Sequence, residues 1–248
     1  MALRVACGLF RLWLAAALTA WLMVAAVTGA AIAGPLEDAR AAHGSGDYAT
    51  AIRLFRPMAE NGDAIAQYYL GDLYDKGRGV PQDYAEATKW YRRSAEQGFS
   101  LAQHLLGFMY LQGHGVPQDY AEALKWIRRA ADQGLAASEA WLGFAYRVGE
   151  WGVPQDHTQA IKWLRRAAEQ GHELAQSNLG FAYRDGEGVP QDHVQAHMWL
   201  NLAAAQAKLV AGRNIAGEAR DSIAAKMSPA QIAEAQRLAR EWKPKRER

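Results

Sequence analysis

Apolar positions along the chain recur with helical spacing, and the spacing itself recurs. Between Gln82 and Gln97, Ala87, Trp90, Tyr91, Ser94 and Ala95 fall on one face of a predicted helix, with charged residues between them. Pro81 suits the first turn, where its missing N–H has no partner to lose, and Asp83 suits the cap. Gly98 ends the helix in a left-handed turn. A second helix follows from about Leu101 to Leu111, and Gly113-His114-Gly115 breaks it.

The same pattern then starts again. Val-Pro-Gln-Asp falls at 80–83, 116–119, 153–156 and 189–192, at spacings of 36, 37 and 36. A fixed period of this size marks an array of stacked supersecondary units. Seven residues after each aspartate stand Leu54, Trp90, Trp126, Trp163 and Trp199, and twelve after stand Ala59, Ala95, Ala131, Ala168 and Ala204. The second helices carry Leu-Gly at 70–71, 106–107, 142–143 and 179–180, with Tyr74, Tyr110, Tyr146 and Tyr183 three residues further on. Small residues let helices approach and large ones fill the space between them. One helix pair cannot bury its own apolar face, so neighbouring pairs must stack. The tryptophan column is therefore expected in the core between repeats.

The boundaries that follow are repeat 1 at 47–82, repeat 2 at 83–118, repeat 3 at 119–155, repeat 4 at 156–191 and a degenerate repeat 5 at 192–227. An N-terminal capping helix lies in 34–46, a C-terminal capping helix in 228–242 and a basic tail in 243–248. Pro57 is expected to kink or shorten the first helix of repeat 1. The third repeat holds one extra turn residue, in Gly149-Glu150-Trp151-Gly152. Repeat 5 opens with Asp192 and Trp199 and then loses Leu-Gly-x-x-Tyr, as a terminal unit facing solvent can. Ser228-Pro229-Ala230-Gln231 announces the last helix, and the tail beyond it is expected to fray.

The pattern Ala-x-x-x-Leu-Gly-x-x-Tyr-x-x-Gly-x-Gly-Val-x-x-Asp-x-x-x-Ala-x-x-Trp resembles the Sel-one-like repeat, a tetratricopeptide-like family, over residues 47 to about 205. The resemblance implies an all-α fold, a right-handed α-solenoid of stacked antiparallel helix pairs. It also implies a bacterial adaptor that binds protein or peptide on a concave face. Cysteine-rich members of that family are described as β-lactamases. Those carry a cysteine pair in each repeat, and the one cysteine here, Cys7, lies outside the repeats.

The first 33 residues differ in kind. Arg4 and Arg11 precede an uncharged run from Leu12 to Leu36 that contains Ala31-Ile32-Ala33. This is the layout of a secretory signal peptide cleaved after Ala33, and the expected location is the periplasm. Retained, the run is long enough to act as an inner-membrane anchor. The whole chain carries 28 basic and 26 acidic side chains; without Arg4 and Arg11 it carries 26 of each. A near-neutral mature chain argues against nonspecific nucleic-acid binding, which needs a basic excess.

No motif for nucleophilic, phosphate-binding or zinc-peptidase chemistry is present. His193 and His197 are four apart without the glutamate of His-Glu-x-x-His, so no metal or cofactor is expected. Two binding features stand out instead. Lys89 with Arg93, Lys125 with Arg129, and Lys162 with Arg166 form basic pairs that stacking would align into a ladder, either a solvated face neutralised by Glu86 and Glu122 or a groove for an acidic peptide or a cell-wall glycan. Trp151 stands on a loop, where the repeat needs no aromatic residue, and either packs on the neighbouring turn or forms part of a binding surface. Arg92–Glu96, Arg128–Asp132 and Arg165–Glu169 are expected to form exposed ion pairs four residues apart. The leading expectation is a non-catalytic protein- or peptide-binding scaffold of the cell envelope. The alternatives are a cell-wall or β-lactam hydrolase and a membrane-tethered adaptor.

Overall fold

Why this chain folds as helix pairs is visible in its caps and glycines. The computed structural model describes residues 34–206 and 215–245, so the leader at 1–33 lies outside the described residues. Twelve helices occur among them: α1 (Pro35–Ser45), α2 (Tyr48–Glu60), α3 (Ala64–Lys76), α4 (Tyr84–Glu96), α5 (Ser100–Gln112), α6 (Tyr120–Asp132), α7 (Ala136–Val148), α8 (His157–Glu169), α9 (Glu173–Asp185), α10 (His193–Gln206), α11 (Ile215–Ala224) and α12 (Pro229–Glu241). No strand is present among the described residues. None of the described helices is long and apolar enough to cross a membrane.

Two compact units divide at Phe55 and Arg56. The first contains α1, opened by Pro35 and closed by Gly46 in the left-handed conformation. The second contains the helix stack from α3 onward. In it each helix from α3 to α11 packs on its neighbours in chain order, the arrangement of an α-solenoid, and α12 packs on α10. Pro57 leaves α2 at 13 residues, the length of α3 to α9, so the expected shortening does not occur.

The expected caps are in place. Asp83 accepts from the N–H groups of Ala85 and Glu86, and Asp119 does the same for Ala121 and Glu122. Ser228 and Gln231 close a capping box on α12. Each such cap satisfies N–H groups that a helix end leaves without partners.

The Leu-Gly column sets the closest approach in the stack. A methyl group at Gly71, Gly107, Gly143 or Gly180 would lie 2.5–2.7 Å from Tyr91, Ile127, Leu164 and Leu200, respectively. Glycine is required there because the following helix occupies that space. The close helix pair is thus the one joined by the long glycine loop (α3 with α4, α5 with α6). The loop is equally tight: at Gly115, φ is +69° and a Cβ would meet the Tyr84 carbonyl oxygen at 2.1 Å.

The tryptophan column is core, as its spacing implies. Trp90, Trp126, Trp163 and Trp199 are 5%, 5%, 6% and 7% exposed. Arg93, Arg129 and Arg166 cover the ring faces of the first three at 4.7, 4.7 and 4.8 Å. The tyrosine column binds arginines of the preceding helix. Arg56, Arg92 and Arg165 donate to Tyr74, Tyr110 and Tyr183 at 3.0, 2.7 and 2.9 Å, and Arg128 donates to Tyr146. Those arginines therefore tie adjacent helices together rather than pairing along one helix as the spacing suggests. Glu169, the expected partner of Arg165, takes Lys245 instead at 2.7 Å. The Lys245 N–H also donates to the Glu169 carbonyl at 2.8 Å. Of the tail at 243–248, residues 246–248 lie outside the described residues.

Candidate functional site

Each repeat helix that carries Leu-Gly turns its leucine inward. The residue two positions on lies about 200° around the helix and faces away from that packing. At this position stand Asp72 in the first repeat and Phe108, Phe144 and Phe181 in the next three. Phe108 and Phe144 join Trp141, Leu174, His104 and His172 in lining a groove of about 430 Å³ across α5, α7 and α9. Phe144 is 36% exposed and Leu174 64%, so the groove opens to solvent along an apolar wall.

Trp151 packs against this wall. Its ring lies 5.4 Å from Trp141 and 5.9 Å from Phe144. Phe108 meets Trp141 edge-on at 6.1 Å. Four aromatic rings thus form one continuous cluster. The extra turn residue of the third repeat makes this possible. Trp151 is the only non-glycine residue with positive φ among the described residues, at 53°, a conformation that costs a bulky side chain energy. The turn there is also looser, since a Cβ at Gly152 would meet nothing nearer than 3.7 Å.

Two imidazoles supply the polar part of the groove. His104 Nδ1 lies 2.8 Å from the hydroxyl of Ser138, which is fully buried and stands where the other repeats have Ala66, Ala102 and Ala175. Burial, and then His172 nearby, push His104 down to about 4. Burial also holds His172 below its ordinary value, while Glu173 opposes this. Both rings are neutral at pH 7, and the groove presents little charge. The sign of the pH effect follows. Below about 6.5 the unfolded chain takes up a proton that folded His104 refuses until about 4. Stability is therefore expected to fall as pH drops through that window and to level off beneath it. Denaturation midpoints against pH, with an NMR titration of the His104 ring, check this.

The basic ladder lies on other helices, α4, α6 and α8. Lys89 pairs with Glu86 at 2.9 Å and Lys125 with Glu122 at 2.8 Å. Arg93 and Arg129 lie on their tryptophans. Lys162 is exposed, and Gln159 stands where repeats 2 and 3 supply Glu86 and Glu122. Arg166 reaches from the surface to the buried Glu139.

Gln67, Gln103 and Gln176 are buried, and each donates through its amide to a carbonyl eight residues earlier, at Ala59, Ala95 and Ala168. Each accepts from a later glutamine at 2.7, 2.6 and 3.0 Å. In the third repeat Glu139 replaces glutamine and is 0% exposed. A carboxylate cannot donate, so Arg166 does: its Nη2 lies 3.1 Å from the Ala131 carbonyl and 2.7 Å from the Glu139 carboxylate. Gln170 supplies the remaining bond to Glu139 at 2.8 Å. Arg166 thus restores a hydrogen-bond pattern that one substitution would break. Aligning the columns of the sequence exposes this exception, and Leu-Gly-Phe at 106–108, 142–144 and 179–181 was likewise readable as an outward apolar stripe.

Among the described residues no group of three histidine, cysteine, aspartate or glutamate side chains could hold a metal. His197 is buried at 3% exposure.

The family model described as Sel1 repeat matches residues 42–63, 64–99, 100–135, 136–172 and 174–208. Its units begin at the Leu-Gly helix, so they group the close helix pairs rather than opening at the Val-Pro-Gln-Asp marker. A Sel1 repeat protein from Oxalobacter formigenes has a similar structure, with 36% identity and a TM-score of 0.65, over 71% of this chain and 49% of that one. This chain therefore spans about half the length of that relative. A protective antigen of uropathogenic Escherichia coli, described as displaying an SLR fold, is 26% identical over 78% of this chain and 56% of its own, at a TM-score of 0.40. A putative Sel1 repeat protein from Klebsiella pneumoniae is 22% identical over 75% of this chain and 89% of its own, at a TM-score of 0.47. None of the curated proteins compared matches. Five matched units in register and the stacked helix pairs lead to one conclusion: the chain belongs to the Sel1 repeat family.

Proposed function

We propose that this chain is a non-catalytic scaffold that binds a peptide segment of another protein through the aromatic groove of α5, α7 and α9. The observation that carries this reading is the groove wall of Phe108, Trp141 and Phe144, backed by Trp151 and open to solvent at Phe144. Large apolar patches on soluble domains mark interaction sites, and rigid aromatic anchors supply most of the energy in such contacts. Neutral His104 and His172 add hydrogen-bonding capacity without charge, which favours an apolar segment over an acidic one. Membership of the Sel1 repeat family supports a role in protein interaction. The expected site of action is the cell envelope, supported by the layout of Arg11, the uncharged run and Ala31-Ile32-Ala33.

The groove and the ladder make opposite demands. Changing Trp141 and Phe144 together to alanine is expected to weaken binding of an apolar peptide ligand by more than about tenfold. Changing Lys89, Lys125 and Lys162 to glutamine is expected to alter the same affinity by less than about threefold, because exposed pairs contribute little. Titration calorimetry on both variants checks this. A large loss in the lysine variant, with a flattened salt dependence, would move the binding site to the ladder.

A further inference from the structure

A second pocket, of about 470 Å³, lies between α10, α11 and α12, where repeat 5 departs from the pattern. Its lining is unlike the groove. His197, Asn201, Arg220, Asp221 and Arg240 face it, and Ile232 contributes an apolar wall. In repeats 2, 3 and 4 the position of His197 holds Thr88, Leu124 and Ile161. Thr88 is satisfied by the His114 carbonyl at 2.9 Å, and leucine and isoleucine need no partner. His197 is 3% exposed, and its Nδ1 has no hydrogen-bond partner among the described residues. A buried polar atom without a partner is costly, and stacking alone does not call for it here.

The charges around it have a sign. Arg220 is answered: it donates to Asp221 at 2.8 Å and to Asn201 at 3.1 Å. Arg240 has no such partner among the described residues and is exposed at the pocket. Two guanidiniums against one carboxylate leave the lining with one net positive charge. Burial, followed by the Arg220 charge, holds His197 below its ordinary value, with Asp221 opposing. With one net positive charge, the lining disfavours a metal cation and suits an anion.

We propose that this pocket binds a small organic carboxylate. Arg240 meets the carboxylate as a planar fork, the His197 ring turns to bring its closed-off Nδ1–H to it, and Ile232 takes the hydrocarbon body. The volume is within the range of small-molecule sites. This site is separate from the aromatic groove and stands or falls without it.

Calorimetric titration of the full chain with benzoate tests the proposal, with inorganic phosphate as the comparison. Saturable benzoate binding at one site is expected, weakened by at least about tenfold in Arg240→Gln and in His197→Leu, which copies the Leu124 of repeat 3. Phosphate is expected to bind at least about tenfold more weakly, since it gains nothing from Ile232. Arg240 is exposed and its replacement leaves the Arg220–Asp221 pair intact, so that variant decides the matter even if His197→Leu folds poorly. No saturable binding of benzoate, an affinity indifferent to Arg240→Gln, or phosphate binding as tight as benzoate would each overturn the proposal.

Discussion

Replacing Trp126 by alanine is expected to destabilise the stack by about 3–5 kcal/mol, the usual cost of deleting a large buried aromatic side chain. Trp126 is 5% exposed and belongs to a core cluster that runs from Ala87 through Leu106 and Leu142 to Trp163, and so joins three repeats. Its ring nitrogen has no hydrogen-bond partner among the described residues, so packing and the Arg129 guanidinium over its face supply the stabilisation. The consequence extends beyond a lower midpoint. In an array whose units contact only their neighbours, cooperativity passes through each interface in turn. A hole at the middle interface is expected to split one unfolding transition into two. Denaturant unfolding followed by tryptophan fluorescence and by circular dichroism checks this. Coincident transitions with an unchanged midpoint would place Trp126 outside the core.

Arg166→Ala is expected to cost about 2–4 kcal/mol. Breaking a fully buried ion pair costs about 3–5 kcal/mol, because one charge is left in a low-dielectric site. The lower figure reflects geometry: the Glu139 side chain is 1% exposed but that of Arg166 is 41% exposed, so water screens part of the interaction. Glu139→Gln is expected to be nearly neutral or mildly stabilising. It restores the residue found at Gln67, Gln103 and Gln176, whose amide makes the carbonyl bond that Arg166 now provides at Ala131. The double variant gives the decisive number. In the Glu139→Gln background, Arg166→Ala should lose most of its cost, leaving the packing over Trp163. Chemical denaturation of the four proteins completes the cycle. Additive effects would mean that Arg166 acts on Trp163 alone.

The repeat made most of the fold legible from the residues. A helix pair that cannot bury its apolar face alone forces stacking, and five copies of one pattern average out local exceptions. The same averaging conceals the site. Trp141 stands where other repeats have Tyr69, Leu105 and Asn178, so no column marks it. Glu139 and Ser138 look like ordinary variation until their partners, Arg166 and His104, are brought beside them by residues 27 and 34 positions away. The basic pairs showed the opposite difficulty. Lys89 and Arg93 form a regular column, but Glu86 and the Trp90 ring occupy them within their own helix. Trp151 was legible as an aromatic residue that the turn does not need. Its packing on Trp141 and Phe144 came from the structure, because loop geometry brings residues together without a period.

The central claim is that the aromatic groove binds an apolar peptide segment. The most direct measurement is selection of a displayed random-peptide library on the immobilised full chain, with enriched peptides retested on the Trp141→Ala, Phe144→Ala variant. Enriched sequences are expected to carry recurrent aromatic or aliphatic residues and to lose binding on that variant. Enrichment of acidic peptides that bind the variant undiminished, or no enrichment at all, would contradict the account.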